Sequence, residues 1–213
     1  MNYIIDGRTM KAADHYTIET IGIPSLVLME RAALQVVETV KKEKIDITRS
    51  LIVCGSGNNG GDGIAVGRLL LEKGAKVTVV LAGNPDHCTE EAKEQIRIFQ
   101  AIGGTVEREI PQESYTAVFD ALFGIGLSRK VEGRYAGILE RMNEMEAAKV
   151  AVDIPSGIDS STGEVLGTAF QADLTVTFAY LKTGMALFPG ALYAGNVQVR
   201  DIGIYLRGGV EGP

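Results

Sequence analysis

The sequence contains no tryptophan and only two cysteines and two histidines in 213 residues. Cys54 and Cys88 are too few for a disulfide framework or a cysteine metal cluster, so a reducing cytoplasm is the expected location. With only His15 and His87 available, a histidine zinc site or a Ser-His-Asp triad is not expected. Any chemistry must therefore rest on carboxylates, lysine, hydroxyl groups or the backbone.

Long apolar runs and an excess of positive charge are also missing. No run approaches the roughly 18 apolar residues of a membrane span, and the N-terminus does not resemble a signal peptide. The net charge of -6 and the pI near 5.1 argue against a nucleic acid or an anionic membrane as partner. With 46% hydrophobic residues, we expect one soluble domain over residues 1–206 and a flexible tail over 207–213.

A glycine-rich turn follows a short apolar segment and is the most informative stretch of the chain. Residues 51–54 predict a buried parallel strand, residues 55–63 a glycine turn, and residues 64–71 a helix that Gly74 ends. Such a turn lets a phosphate approach the backbone N–H groups of a helix start. Its G-x-G-x-x-G pattern is weak evidence, because strand 76–82 lacks a terminal acid for a ribose and no P-loop lysine follows. A turn that is glycine-rich only for packing remains an alternative.

The remaining chain alternates between predicted helices and strands. Helices are predicted at 9–20, 25–42 with Ser25 as N-cap, 90–102 and 137–146, and further strands at 117–120, 150–153, 173–179 and 197–204. This alternation predicts an α/β fold, a Rossmann-like three-layer α/β/α sandwich with a mostly parallel central sheet. Because ligands bind beyond the carboxyl ends of such strands, Gly55, Asp120 and Asp153 are expected at one crevice, together with Lys182.

Carboxylates at strand ends are the candidate chemical groups of this crevice. Asp153 precedes a Pro-Ser-Gly turn, a position that suits a partly buried acid or base. Asp120, Asn59 and Ser156 offer hard oxygen ligands for Mg²⁺ or K⁺, and their residue types do not choose between the ions. Each aspartate has the alternative of simply capping its own turn.

Three segments resemble the motifs of one known family. GNNGGDG at 57–63, DALFGIGLSR at 120–129 and VDIPSGID at 152–159 are similar to the YjeF N-terminal domain family, the NAD(P)H-hydrate epimerases, and the similarity spans about residues 1–204. Members of this family interconvert the R and S forms of NADHX and NADPHX, which are hydrated at C6 of the nicotinamide ring. A separate S-specific dehydratase then recovers all of the damaged cofactor.

The resemblance also implies particular site residues. Asp153 would be the acid or base at C6, and one K⁺ per subunit would be bound by Asn59, Asp120 and Ser156. NAD(P)HX would be a substrate rather than a cofactor. The substrate-binding residues implied are Asn58, Asn59, Gly60, Gly61, Asp62, Gly124, Ile125, Gly126, Leu127, Ser128, Arg129, Lys130, Tyr135, Asp153 and Lys182.

The resemblance further implies a homodimer formed through the N-terminal helices. Its functional partner would be the dehydratase, as a separate protein or as a C-terminal domain that would begin near Asp201. The chain would then be either a natural single-domain enzyme or part of a longer one. A non-catalytic nucleotide- or protein-binding module is the main alternative, and a nucleotide-dependent transferase or hydrolase is a third. The NADHX or NADPHX preference, and a route through an iminium or through ring opening, stay open.

Overall fold

The structure is a computed structural model that describes residues 3–207, so all of the predicted tail except Arg207 lies outside the described residues. Seven strands form one sheet in which every neighbouring pair is parallel. The strands are β2 (Arg49–Cys54), β3 (Lys76–Leu81), β4 (Val106–Glu107), β5 (Ala117–Ala121), β6 (Ala148–Val152), β7 (Leu174–Phe178) and β9 (Asn196–Arg200), and their spatial order is β4-β3-β2-β5-β6-β7-β9. Two short strands, β1 (Ile4–Ile5) and β8 (Leu181–Lys182), pair separately.

Helices cover both faces of this sheet, which confirms the predicted three-layer sandwich. They are α1 (Gly7–His15), continued by a π-helical segment (Tyr16–Ile21), α2 (Ser25–Lys42), α3 (Asn58–Glu72), α4 (Glu90–Ala101), α5 (Gly133–Glu144), α6 (Thr183–Ala186) and α7 (Gly190–Tyr193). Alternation along β2 explains the layers, because Ile52 and Cys54 belong to the core beneath α2, α3 and α4, whereas Leu51 and Val53 belong to the core beneath α5.

The order of the strands determines where a crevice opens. From β2 the chain moves outward to β3 and β4, and it then returns to β5 on the other side of β2. Cys54 at the end of β2 is in register with Ala121 at the end of β5. In open parallel sheets such a reversal leaves a ligand-binding crevice beyond the carboxyl ends of the two strands. The glycine turn lies at this crevice.

Several predicted boundaries were wrong, most usefully at the glycine turn. Helix α3 begins at Asn58 and not at residue 64, so most of the turn is the first part of a helix. A Cβ at Gly60 would lie 2.0 Å from the carbonyl oxygen of Gly55, so glycine allows the helix to start against the strand end. Pro24, and not Ser25, is the N-cap residue of α2.

The other differences lie at the ends of later elements. Helix α5 begins at Gly133 instead of residue 137, and Asp153 follows β6 instead of ending it. Strand β9 ends at Arg200, before the predicted end at 204. The pattern also missed the short strands β1, β4 and β8. Within residues 3–207, no helix is both long enough and apolar enough to cross a bilayer.

Candidate active site

A cavity of about 720 Å³ lies beyond the carboxyl ends of β2, β5 and β6. Its walls are the turn Gly55–Asn59, the segment 122–129, Asp153, and the inner surfaces of α1 and α2. The volume falls within the usual range of ligand sites, about 300–1,000 Å³. The predicted crevice is therefore a real cavity, and helices α1 and α2 form the wall that the strand-end argument did not anticipate.

The N-terminus of α3 opens into this cavity. Its N-cap residue is Gly57, and no side chain caps the helix. The first N–H groups of a helix and its dipole favour a bound anion when no cap satisfies them. Lys11 and Arg129 also line the cavity and contribute positive charge. This wall is suited to a phosphate or pyrophosphate group, although the whole chain is acidic.

Asp153 is held in an unusual backbone conformation at the end of β6. Its φ of 68° lies in the left-handed region, which aspartate tolerates better than most residues. Its Oδ1 accepts hydrogen bonds from the Phe178 backbone N–H (3.1 Å) and the Thr177 hydroxyl (3.2 Å), and it forms an ion pair with Lys182. In the described part of the chain, Oδ2 has no hydrogen-bond partner. One carboxylate oxygen is thus fixed while the other is available to a ligand.

Lys182 is almost fully buried, with 1% of its side chain exposed. Its Nζ donates to Asp153 Oδ1, to the Thr177 hydroxyl (2.8 Å) and to the Phe178 carbonyl (2.9 Å). An ammonium group has three hydrogens, and these bonds use all of them. Lys182 lines the cavity as the resemblance implied, but its contacts suit positioning of Asp153 better than direct contact with a substrate.

Two further carboxyl groups, Asp14 and Asp62, face the same cavity, and we call them the cavity acids. Neither carboxyl has a hydrogen-bond partner among the residues that the structure describes. Burial, followed by the nearby carboxyl of Asp153, raises the pKa of Asp14 to about 6, although Lys182 acts in the opposite direction. Burial and the nearby carboxyl groups of Asp153 and Asp14 raise the pKa of Asp62 well above its ordinary value. The cavity therefore concentrates more acid groups than its single buried lysine can neutralise.

Sequence reasoning identified Asp62 but missed Asp14. Asp14 belongs to none of the three motifs and lies on α1, to which the sequence analysis assigned no site residue. A signal was nevertheless present, because Asp14 follows the buried Met10 by one helical turn and neighbours the buried Ala13. An acid on the inward face of an amphipathic helix needs a reason to be there.

The second group of polar residues is the buried loop cluster, which consists of Asn59, Asp120 and Ser156. Asp120 Oδ1 accepts from the Ser156 hydroxyl (2.6 Å) and the Leu122 N–H (3.1 Å), and Oδ2 accepts from the Ser156 N–H (2.7 Å). Burial raises the pKa of Asp120 to about 6, and these hydrogen bonds oppose that rise. The Phe123 N–H donates to the Ser156 hydroxyl (2.8 Å). This cluster ties the ends of β5 and β6 together.

The side chain of Asn59, unlike those of Asp120 and Ser156, makes no hydrogen bond to the described residues. Both polar atoms of its side chain amide are buried, and neither has a hydrogen-bond partner. The side chain packs beside Gly124, where a Cβ would lie 3.1 Å from the Asn59 Cβ. Buried polar groups are normally satisfied, so this unpaired amide, close to the loop that the Phe123 N–H ties to Ser156, suggests a bound group.

Most of the predicted site residues come together at the cavity, and a few do not. The wall includes Asn58, Asn59, Asp62, Gly124, Ile125, Gly126, Leu127, Ser128, Arg129, Tyr135, Asp153 and Lys182. Asp120 and Ser156 are buried next to the wall rather than on it, and Lys130 is exposed away from it. Gly60 and Gly61 are packed inside the start of α3, where a Cβ on Gly61 would lie 2.5 Å from the Met29 methyl group.

The acidic side chains of the cavity could also be considered as ligands of a divalent metal ion. Across residues 3–207, no three His, Cys, Asp or Glu side chains are arranged to hold a metal ion. The cavity acids and Asp153 therefore do not form a cluster suited to a divalent metal.

Comparison with known proteins is consistent across sequence and structure. Residues 25–184 match the family model described as YjeF-related protein N-terminus. Curated proteins named NAD(P)H-hydrate epimerase are similar over nearly their full length: one from Limosilactobacillus reuteri is 47% identical (95% of this chain, 97% of that protein), and one from Weissella koreensis is 41% identical (96% and 93%). The crystal structure of yeast ynu0 has a TM-score of 0.78 at 19% identity over 93% of this chain and 88% of that one, which shows a shared fold.

Proposed function

Because the chain belongs to the family described as YjeF-related protein N-terminus, we propose that it is an NAD(P)H-hydrate epimerase, an isomerase that interconverts the R and S hydrates of NADH and NADPH. One observation carries the proposal beyond the family name. The same cavity presents an uncapped helix start on one wall and a carboxyl–lysine pair, Asp153 and Lys182, on another. A damaged dinucleotide needs both a place for its pyrophosphate and acid or base groups near its ring.

The substrate is bound with its pyrophosphate at the start of α3 and its hydrated ring near Asp153. The backbone N–H groups after Gly57 receive the phosphate oxygens, and Lys11 and Arg129 offset their charge. The ring then lies among Asp153 and the cavity acids. This orientation explains why no acid is needed after β3 to hold a ribose, since the dinucleotide is the reactant and its ring must reach the carboxyl groups.

Inversion at C6 requires a proton to be given and another to be taken. Loss of the C6 hydroxyl as water leaves an iminium that water attacks on either face, and ring opening followed by closure gives the same result. In both routes the available Oδ2 of Asp153 exchanges a proton with the C6 oxygen, while Lys182 fixes the carboxylate through Oδ1. Positioned acid or base groups typically contribute about 10²- to 10⁴-fold in rate.

We assign the buried loop cluster to one K⁺ per subunit. The fit is supported by the buried, unpaired amide of Asn59 beside Gly124, and by the Asp120 carboxylate and the Ser156 hydroxyl, which bond to each other. A single carboxylate with neutral oxygens suits a monovalent cation better than a strongly charged one. When bound, the ion would supply positive charge next to the loop that follows Phe123.

We also infer a homodimer that forms through the N-terminal helices. Ile21, Leu26, Val27 and Leu34 are large aliphatic side chains with 38–46% of their surface exposed. They lie on the same segment whose other side lines the cavity through Ser25, Leu28 and Met29. An exposed apolar surface of this kind suits a second copy of the chain. Light scattering of the native chain and of Val27→Glu would test this, with a dimer expected only for the native chain.

The functional context follows from the chemistry of the product. Epimerisation is useful when another enzyme consumes one epimer, so we place an S-specific dehydratase beside this protein as its functional partner. A cytoplasmic location is supported by the two buried cysteines, which are both free thiols.

The decisive experiment is direct. Purified R-NADHX is incubated with the protein in potassium buffer, and its conversion to the S form is followed by chromatography against a protein-free blank. We expect the R/S equilibrium to be reached well ahead of the spontaneous reaction, with NADPHX tested in parallel. Folded protein that accelerates neither conversion would contradict the proposal and favour the non-catalytic binding module.

A further inference from the structure

Asp14 is a carboxyl group that the proposed chemistry has not yet used. It is half-buried on α1 and lines the cavity. The structure records no hydrogen bond to its carboxyl within residues 3–207. By contrast, Asp6, at the start of the same helix, accepts a bond from the Thr9 N–H at 2.7 Å. A half-buried acid without a protein partner is a cost to the fold unless something else uses it.

The charged groups near Asp14 are Asp153, which follows β6, Lys182 on β8 and Asp62 on α3. Lys11, on α1 itself, lines the same cavity. Lys182 is the buried cation of this set, and its three donors are already used by Asp153, Thr177 and Phe178. Asp14 and Asp153 therefore face one cavity from different walls, and only Asp153 has its own positive partner.

We propose that Asp14 is a second catalytic residue, which exchanges a proton at C6 of the substrate from the helical wall while Asp153 does so from the edge of the sheet. This inference rests on the proposed epimerase function and adds a named group to it. Inversion exposes both faces of the ring carbon in turn. A single carboxylate that Lys182 fixes through Oδ1 can exchange a proton on one face of C6. A group on another wall of the cavity is therefore needed for the opposite face.

The proton balance of this step is simple. Asp14 in its protonated form gives its proton to the C6 hydroxyl oxygen, the C6–O bond breaks with its electron pair on oxygen, and water leaves as the lone pair of N1 forms the C=N bond. A water molecule on the other face then bonds to C6, the C=N pair returns to N1, and the Asp153 carboxylate takes the released proton. Exchange with solvent restores the two carboxyl groups, and the reverse reaction uses them in the opposite roles.

The electrostatics support this division of labour. Burial and the nearby Asp153 raise the pKa of Asp14 to about 6, so near neutral pH both protonation states of Asp14 are accessible. Asp153 forms an ion pair with Lys182. Because the proposed step needs one carboxyl group to be protonated and the other to be ionised, we expect a bell-shaped dependence of kcat/KM on pH in both directions.

The test replaces Asp14 by asparagine, which keeps the shape and removes the proton exchange. We expect kcat/KM for R-to-S conversion to fall about 10²-fold, mainly through kcat, and one limb of the bell-shaped pH profile to disappear. Glu19→Gln is the matched control, because Glu19 is exposed on the adjacent helical segment. This control should keep the native rate and both limbs.

Thermal unfolding separates a catalytic role from a structural one. Asp14→Asn should unfold at the same temperature as the native protein or a few degrees higher at pH 8, since a buried charge is removed. If asparagine prevents folding, Asp14→Glu and Asp14→Gln are compared instead, and only the glutamate variant should keep both limbs. A folded Asp14→Asn enzyme with native kcat/KM and both limbs would overturn the inference. An inactive native protein would instead refute the proposed function itself.

Discussion

Asp120 and Asp14 are two aspartates whose pKa is raised to about 6, yet they lie in contrasting regions of the molecule. Asp120 is fully buried in the loop cluster, where both of its oxygens accept hydrogen bonds from Ser156 and Leu122. Asp14 is half-buried beside the cavity, without a hydrogen bond among the described residues. A similar pKa therefore describes one carboxyl that is hydrogen-bonded within the fold and another that has no hydrogen bond to the described residues.

The surroundings of these two carboxyl groups indicate different roles for the two regions. Hydrogen bonds oppose the effect of burial at Asp120, whereas the like charge of Asp153 adds to the effect of burial at Asp14. The buried loop cluster therefore joins strand ends and offers oxygens to an ion, while the cavity acids and Asp153 are suited to proton exchange. Substitutions in the first region should change stability, and substitutions in the second should change rate.

The largest effect is expected at Asp153. Asp153→Asn removes the carboxylate that Lys182 fixes, so we expect turnover to fall about 10³-fold while the protein remains folded. Initial rates of R-to-S conversion measure the loss, and circular dichroism checks the fold. Asp46→Asn, which is exposed and lies before β2 at the opposite end of the sheet, should keep the native rate. A full-rate Asp153→Asn enzyme would exclude Asp153 from the mechanism.

The next largest effect is on stability and belongs to the buried loop cluster. Asp120→Ala leaves the Ser156 N–H, the Ser156 hydroxyl and the Leu122 N–H without their acceptor, so we expect the free energy of unfolding to fall by about 3 kcal/mol. Denaturant unfolding measures this loss, and Asp14→Asn measured alongside should show none at neutral pH. Equal losses in the two variants would remove the distinction between the regions.

A smaller effect tests the proposed ion. If K⁺ binds Asn59, Asp120 and Ser156, replacing tetramethylammonium chloride by KCl at constant ionic strength should stabilise the native protein by about 1 kcal/mol, or roughly 3 °C in Tm. Asn59→Ala should abolish this difference while costing little without K⁺, because the Asn59 amide has no protein partner. An identical response of both proteins to K⁺ would place the ion elsewhere.

Sequence patterns correctly predicted which strand ends meet at the cavity. The strand ends at Gly55, Asp120 and Asp153 converge as predicted, because parallel strands bring their carboxyl ends to one edge. The pattern did not reveal that Asp120 lies behind the cavity wall instead of on it. That distinction depends on how the loop after β5 folds onto Ser156, which is a tertiary contact between distant positions.

The helical wall of the site was harder to predict for a related reason. The glycines at 60, 61 and 63 looked like a turn because glycine has a low helix propensity, but tight packing against β2 and α2 favours a helix there. Asp14 lies in a helix whose position over the sheet is set by contacts with distant elements. No motif marks such a residue, and its spacing from Met10 and Ala13 indicates an inward position without showing which cavity it faces.

The smallest effect concerns the charge of Asp62. Its folded-state pKa is raised above the ordinary value of 3.8, so between these two values the folded protein binds more protons than the unfolded chain. The contribution of this group to the free energy of unfolding is therefore largest at low pH, and it decreases as the pH rises through the pKa of the folded state. We expect Asp62→Asn to match the native protein near pH 4 and to be about 1 kcal/mol more stable at pH 8, after allowance for screening.

Asp46 provides a control of opposite sign for this last measurement. Hydrogen bonds from the Thr48 backbone N–H and hydroxyl lower the pKa of the Asp46 carboxyl, so its contribution to stability is present at neutral pH and is lost on acidification. Asp46→Asn should therefore be less stable than the native protein at pH 8 and should converge with it at low pH. If Asp62→Asn followed the same course as Asp46→Asn, Asp62 would be a carboxyl stabilised in its charged form like Asp46, and the cavity acids would be reduced to Asp14.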